Sequence, residues 1–212
     1  MPKASNDLIL RDRLQFDVQS GGDRTTLYGR VDLSDYVNVV KKDGLSIKEI
    51  FVQPRVPAGD DGFGNQTGMS NTGAFTPYFT GYVGDASTEN TMSCLKIYGT
   101  TRAYQNASDV GIASPDVLFI EEFKSGFGVD VGAGQEAQNF GFIDHIRYGP
   151  KDLHPDGFIV VSDLLIGVAG DELSLGTLSE TVTIELDIMM IAQPVKITQA
   201  RLDEMLAQAQ DL

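Results

Sequence analysis

In TVTIELDIMMIA, residues 181–192, Val182, Ile184, Leu186, Ile188 and Met190 fall on one side of an extended chain. Thr183, Glu185 and Asp187 fall on the other. A period of two is the mark of a strand with one wet and one dry face, and a helix would scatter these residues around its axis. The same alternation governs LILRDRLQFDV, residues 8–18, where Leu10, Leu14, Phe16 and Val18 oppose Arg11, Arg13, Gln15 and Asp17. It recurs in TTLYGRVDLS, with Leu27, Gly29, Val31 and Leu33 on one face. LSIKEIFVQPRV is a third candidate, in which Pro54 demands an edge or a strand end because it cannot donate to a ladder.

Further strands are expected in PYFTGYV, TMSCLKIYGTTRAY, DVLFIEEF and NFGFIDHIRYG. GFIVVSDLLIGV is apolar on both alternating sets, which predicts a central strand. Two glycine-rich loops separate these segments, at 57–76 and 124–139, and GPKDLHPDG reads as a turn. The one helical pattern is TQARLDEMLAQAQDL. There Thr198 can cap the first turn, and Leu202, Met205, Leu206 and Ala209 make an apolar stripe. The reading is therefore a β-sandwich domain over 1–197 and an amphipathic helix over 198–212 that docks on its own domain or on a neighbouring subunit. No βαβ alternation is present, which argues against a doubly wound nucleotide-binding sheet.

Charge narrows the partners. Sixteen basic residues face 30 acidic ones, a net of −14, so direct binding of nucleic acid phosphates is not expected. The single cysteine, Cys94, excludes an internal disulfide and leans towards synthesis in a reducing cytosol. No apolar run is long enough for a membrane span, and MPKASNDLIL does not read as a secretory signal.

Candidate chemistry is sparse. GDDGFGNQTG, residues 59–68, has two acids, four glycines and two amides, yet it lacks the ligand spacing and distal glutamate of a helix-loop-helix calcium site. Neither it nor GFGVDVGAG carries a phosphate-loop signature. His145 and Asp144 are strand neighbours and should face apart, as should Glu121 and Glu122. His145 and His154 do not form a metal cluster pattern, and no G-x-S-x-G elbow occurs. Cys94 reads as a small buried hydrophobe, and the basic pairs Lys41-Lys42 and Arg11/Arg13 as solvated surface. No catalytic, cofactor or metal residue is assigned, and no enzyme is expected.

The succession of strands from LILRDRLQFDV to TVTIELDIMMIA, the inserted loops at 57–76 and 124–139 and the terminal helix resemble single jelly-roll coat proteins of icosahedral viruses. The resemblance implies an all-β, jelly-roll-like antiparallel sandwich whose loops and termini join copies of itself, and other capsid proteins, into a virion shell assembled in the host cytoplasm. MPKASNDLILRDR lacks the basic arm of many small RNA-virus coats, so the variant implied is that of double-stranded DNA viruses. Leu202, Met205 and Leu206 are the expected subunit anchor. The alternative is a carbohydrate-binding sandwich using the two loops, with calcium, and Tyr78, Phe79 and Tyr82 in place of the absent tryptophan. A cupin-like metal enzyme would need a metal cluster that two distant histidines do not supply.

Overall fold

The computed structural model describes residues 7–19, 25–55, 91–130, 138–155, 157–171 and 181–203. The strands are β1 (Leu8–Gln19), β2 (Leu27–Val31), β3 (Asp43–Arg55), β4 (Thr91–Thr100), β5 (Val117–Asp130), β6 (Gln138–Tyr148), β7 (Phe158–Val160), β8 (Leu164–Asp171) and β9 (Thr181–Lys196). A single helical turn, α1 (Pro150–Leu153), follows β6. Residues 199–203 begin a helix, in which the Arg201 N–H donates to the Thr198 hydroxyl at 3.3 Å.

One sheet runs β1-β9-β3-β7 and the other β2-β8-β4-β5-β6, with every pairing antiparallel. Without β6, the pairings nest. The first strand pairs with the last (β1 with β9), then β2 with β8, β3 with β7, and β4 with β5. A long hairpin rolled into two layers has this order, which is the jelly-roll arrangement. β6 is an added strand, hairpinned onto β5 at the edge of the second sheet.

The expected period of two governs the first sheet. Ile184, Leu186, Ile188, Met190 and Ala192 of β9 are buried, as are Phe16 and Val18 of β1. They meet Leu95, Ile97, Phe119, Leu164, Ile166 and Val168 of the second sheet in one continuous apolar core. Each such side chain contributes roughly 1.5–3 kcal/mol when fully withdrawn from water. Pro54 sits near the end of β3, beyond Leu45–Ile47, the only stretch that β7 pairs with.

Two expectations are corrected. GFIVVSDLLIGV is not one central strand. Its first half is β7 in one sheet, and its second half is β8 in the other. The chain crosses between layers at Val161-Ser162-Asp163. There the Asp163 carboxylate accepts the Leu33 N–H at 3.1 Å and lies 3.2 Å from Arg30 Nε. Hydration of that carboxylate is thus replaced at the end of β2, so the polar residue marks the crossing rather than a flaw in a strand. The segment 124–139 is not a long loop either, since residues 124–130 continue β5 and 138–139 begin β6. The loop 57–76 and the strand expected at PYFTGYV lie outside the described residues.

The β4–β5 connection, residues 101–116, folds onto the outer face of the second sheet. Ala107 and Val110 are buried there against Tyr98, Val117, Ile120 and Ala169. This second layer explains why Leu164 and Ile166–Gly170 of β8 are all buried. Strands covered on both faces lose the alternation.

Candidate functional site

Four places among the described residues bear on function. The first lies under the 101–116 connection. The Tyr98 and Tyr28 hydroxyls are 2.6 Å apart, and the Tyr98 hydroxyl also meets the Thr26 hydroxyl at 3.0 Å. The Tyr28 oxygen accepts the Tyr104 N–H at 2.6 Å. Burial pushes the Tyr98 phenol well above its ordinary value, so it stays protonated and serves as a hydrogen-bonding group. Gly167 makes the room. A Cβ there would lie 2.8 Å from Tyr98 Cε1 and 2.9 Å from Thr26 Cγ2. Beside this cluster the Lys96 ammonium donates to the carbonyls of Ala107 (3.0 Å) and Val110 (2.5 Å), which pins the connection to β4.

The second place joins the two sheets. Glu121 is 3% exposed. Its carboxylate accepts from Arg147 Nε at 3.0 Å and lies 3.3 Å from His145 Nε2. Register explains the grouping, because β5 and β6 pair Phe123 with His145 and Glu121 with Arg147, which puts all four on one face. The His145 ring stacks on Phe123 with centroids 4.3 Å apart. Arg147 then reaches the other layer, donating to the Ile50 carbonyl at 2.6 Å and lying 4.9 Å from the Phe51 ring centre. Its guanidinium supplies a cross-layer bond on the part of β3 that β7 leaves open. Burial lifts the Glu121 carboxyl above its ordinary range, opposed by the hydrogen bond from His145 and the charge of Arg147. The arrangement is a clasp.

The third place is the outer face of the first sheet, a shallow open depression of about 730 Å³ lined by Arg11, Arg13, Phe51, Gln53, Asp187 and Met189 among others. Asp187 is bracketed by Arg13 Nε at 2.6 Å and Arg55 Nη1 at 2.9 Å. The hydrogen bond from Arg13 is the main reason its carboxyl lies below the usual range. Arg13 is therefore engaged in an ion pair across β1 and β9 and is not simply a solvated cation.

The fourth is the loop between β2 and β3. Asn38 and Asp43 close it with a pair of backbone bonds of 2.8 and 2.9 Å. Between them stand Val39, Val40, Lys41 and Lys42, with Val40 91% exposed. Sequence reading took the lysine pair of this tip as solvated surface and passed over Val39 and Val40. Its signal was two adjacent valines outside any alternating segment.

The remaining expected residues are placed as follows. Asp144 and His145 do face apart, with the Asp144 charge felt by Lys124. Glu122 turns away from Glu121 to Lys96 (3.6 Å) and Lys124 (2.7 Å). His154 bonds the Val117 carbonyl at 2.7 Å. Cys94 is half-buried rather than enclosed, and burial pushes its thiol up, away from the thiolate. Leu202 is buried in the single chain, at 4% exposure. Met205, Leu206, GDDGFGNQTG, Tyr78, Phe79 and Tyr82 lie outside the described residues. Among the described residues, no three His, Cys, Asp or Glu side chains are grouped to hold a metal. Among them, too, no helix is long and apolar enough to cross a membrane.

Fold and surface together define an all-β jelly-roll sandwich with one added edge strand. No protein-family model matches the chain, and no curated protein matches it. Among solved structures, the tailspike protein of Acinetobacter baumannii phage AM24 is similar at 12% identity, with a TM-score of 0.18. The overlap covers 90% of this chain and 27% of that one, so this chain spans about a quarter of the tailspike's length. A superposition that loose does not define a shared fold.

Proposed function

We propose that the chain is a structural protein of a viral shell, built to associate with copies of itself and with other shell proteins. One observation carries the reading. The space between the two sheets is filled by aliphatic and aromatic side chains from both layers, Phe16, Leu45, Ile97, Phe119, Ile166 and Leu186 among them. Jelly rolls serve in coats, lectins and cupins. A cupin needs a polar hollow between its layers, and the apolar filling here supports a role carried by edges, loops and faces instead. In this reading the chain carries no catalytic centre and takes no cofactor. Its net charge of −14 assigns the genome to other components.

The test is the mass of the purified full chain under native conditions, by sedimentation velocity and native mass spectrometry, with electron microscopy of any particles. Closed assemblies of many copies are expected. A chain that remains monomeric at high concentration, over a range of salt and pH, overturns the reading.

A further inference from the structure

We propose that the tip of the β2–β3 loop, Val39-Val40-Lys41-Lys42, is a contact point that seats on the acidic surface of a second copy of this chain. The proposal rests on the self-assembly reading and names one surface that would carry it.

The tip is built, not slack. Asn38 and Asp43 exchange backbone bonds across its base. The Lys41 N–H donates to the Asn38 side-chain oxygen at 2.9 Å, and the Lys42 N–H to the Val39 carbonyl at 3.2 Å. From outside the loop, the Ile197 N–H donates to the Lys42 carbonyl at 2.9 Å. These bonds hold Lys42 in the left-handed region, at φ 56°, where side chains other than glycine sit at a cost. What this rigid frame displays is apolar. Val40 is 91% exposed, Val39 41% and Tyr36, one turn earlier, 38%. Scattered exposed valines need no explanation. Two in succession at the apex of an ordered loop form a pre-organised apolar contact that loses little freedom on binding.

Charge selects the occupant. Five other lysines among the described residues each face an acid on their own chain: Lys48 with Asp7, Lys96 and Lys124 with Glu122, Lys151 with Glu49, and Lys196 with Asp43. Lys41 and Lys42 make no ion pair among the described residues. A chain with 30 acids and 16 bases offers a mainly acidic surface to its neighbours, so a second copy presents carboxylates for Lys41 and Lys42 to meet.

Three full-length proteins test this: the natural chain, Val40→Asp, and the double variant Lys41→Glu/Lys42→Glu. Circular dichroism and melting should be nearly identical for all three, because Val40 and Lys41 are exposed and the bonds that fix the loop come from backbone groups and the Asn38 side chain. The concentration needed for half-assembly, read by sedimentation velocity, should rise about tenfold or more in each variant. If the natural chain assembles and both variants do so at the same concentration, the tip is not a contact and self-assembly stands without it. If the natural chain is monomeric throughout, both readings fail. Flotation with vesicles of phosphatidylglycerol and phosphatidylcholine is the last arm. Binding by the natural chain that Val40→Asp abolishes, with assembly unchanged, assigns the tip to lipid and overturns the proposal.

Discussion

The two sheets carry out the same task with different cover. The first is dry on one side only. β1 and β9 send Phe16, Val18, Ile184 and Leu186 inward, while their outer face is a lattice of Arg13, Asp187 and Arg55. The second is dry on both sides where β4 and β8 run, because residues 101–116 lie across its back and Lys96 holds them there. The contrast teaches that a jelly roll needs only one apolar face per sheet to close. A second covered face is an addition with its own small core, tyrosine network and glycine clearances.

The largest effect that sharpens this contrast comes from equivalent outward positions on the two sheets. Ile120 points away from the main core yet is 3% exposed, under the 101–116 layer. Met189 points outward on β9 and is only half-buried. Ile120→Ala should cost about 2–5 kcal/mol of stability, as for any buried large-to-small change. Met189→Ala should cost less than about 1 kcal/mol, close to a surface change. Urea unfolding of both variants reads the difference. Equal costs would mean that the 101–116 layer contributes no real core.

Gly167 tests the second face more finely. Its missing side chain is the space that the Tyr98 ring occupies, 2.5 Å from a Cβ at Tyr98 Cζ. Tyr98 is fully buried and cannot swing away. Gly167→Ala should therefore cost about 1–3 kcal/mol through overpacking. Tyr98→Phe should not rescue it, because the ring and not the hydroxyl makes the clash. Recovery of stability in the double variant would show that the hydroxyl network, and not the ring, sets the clearance.

The same asymmetry decides what could be read from the residues alone. β1 and β9 announced themselves because one wet face keeps the alternation intact. β8 did not, since Leu164 and Ile166–Gly170 are buried on both sides and the pattern gives no hint that β7 lies in the other layer. Nothing local separates Val160 from Leu164 except Ser162 and Asp163, and the carboxylate's role there depends on Leu33, 130 residues away in sequence, and on Arg30. The glycines of 124–139 suggested a loop where β5 and β6 form a hairpin, because composition does not reveal a ladder partner. Of the Glu121–Arg147 clasp, alternation supplied one part, that Glu121 and Glu122 face apart. The partner came from register. At the β2–β3 tip the lysines were visible, but the exposure of Val39 and Val40 depends on how Asn38 and Asp43 close the loop.

The smallest expected effects concern acid, and here the two sheets should have opposite signs. On the first, Arg13 and Arg55 hold the Asp187 carboxyl below its ordinary value of 3.8. The folded chain binds that proton less readily than the unfolded one. Asp187 thus adds stability that is complete above the ordinary value and is lost as pH falls through the lower, folded value. On the second sheet, burial lifts the Glu121 carboxyl above its ordinary 4.5. Folding then favours the protonated form, so the strain of keeping Glu121 charged is present at neutral pH. It is relieved as pH falls through the raised value towards 4.5, below which the relief is complete. Chemical denaturation from pH 7 to pH 3 should show Asp187→Asn removing part of the natural chain's acid loss at the low end of the range. Glu121→Gln should instead remove a small gain on descending towards 4.5. Parallel pH profiles for the natural chain and Glu121→Gln would mean that Arg147 and His145 fully offset the burial of that carboxylate, and the two sheets would then differ in cover but not in the sign of their response to acid.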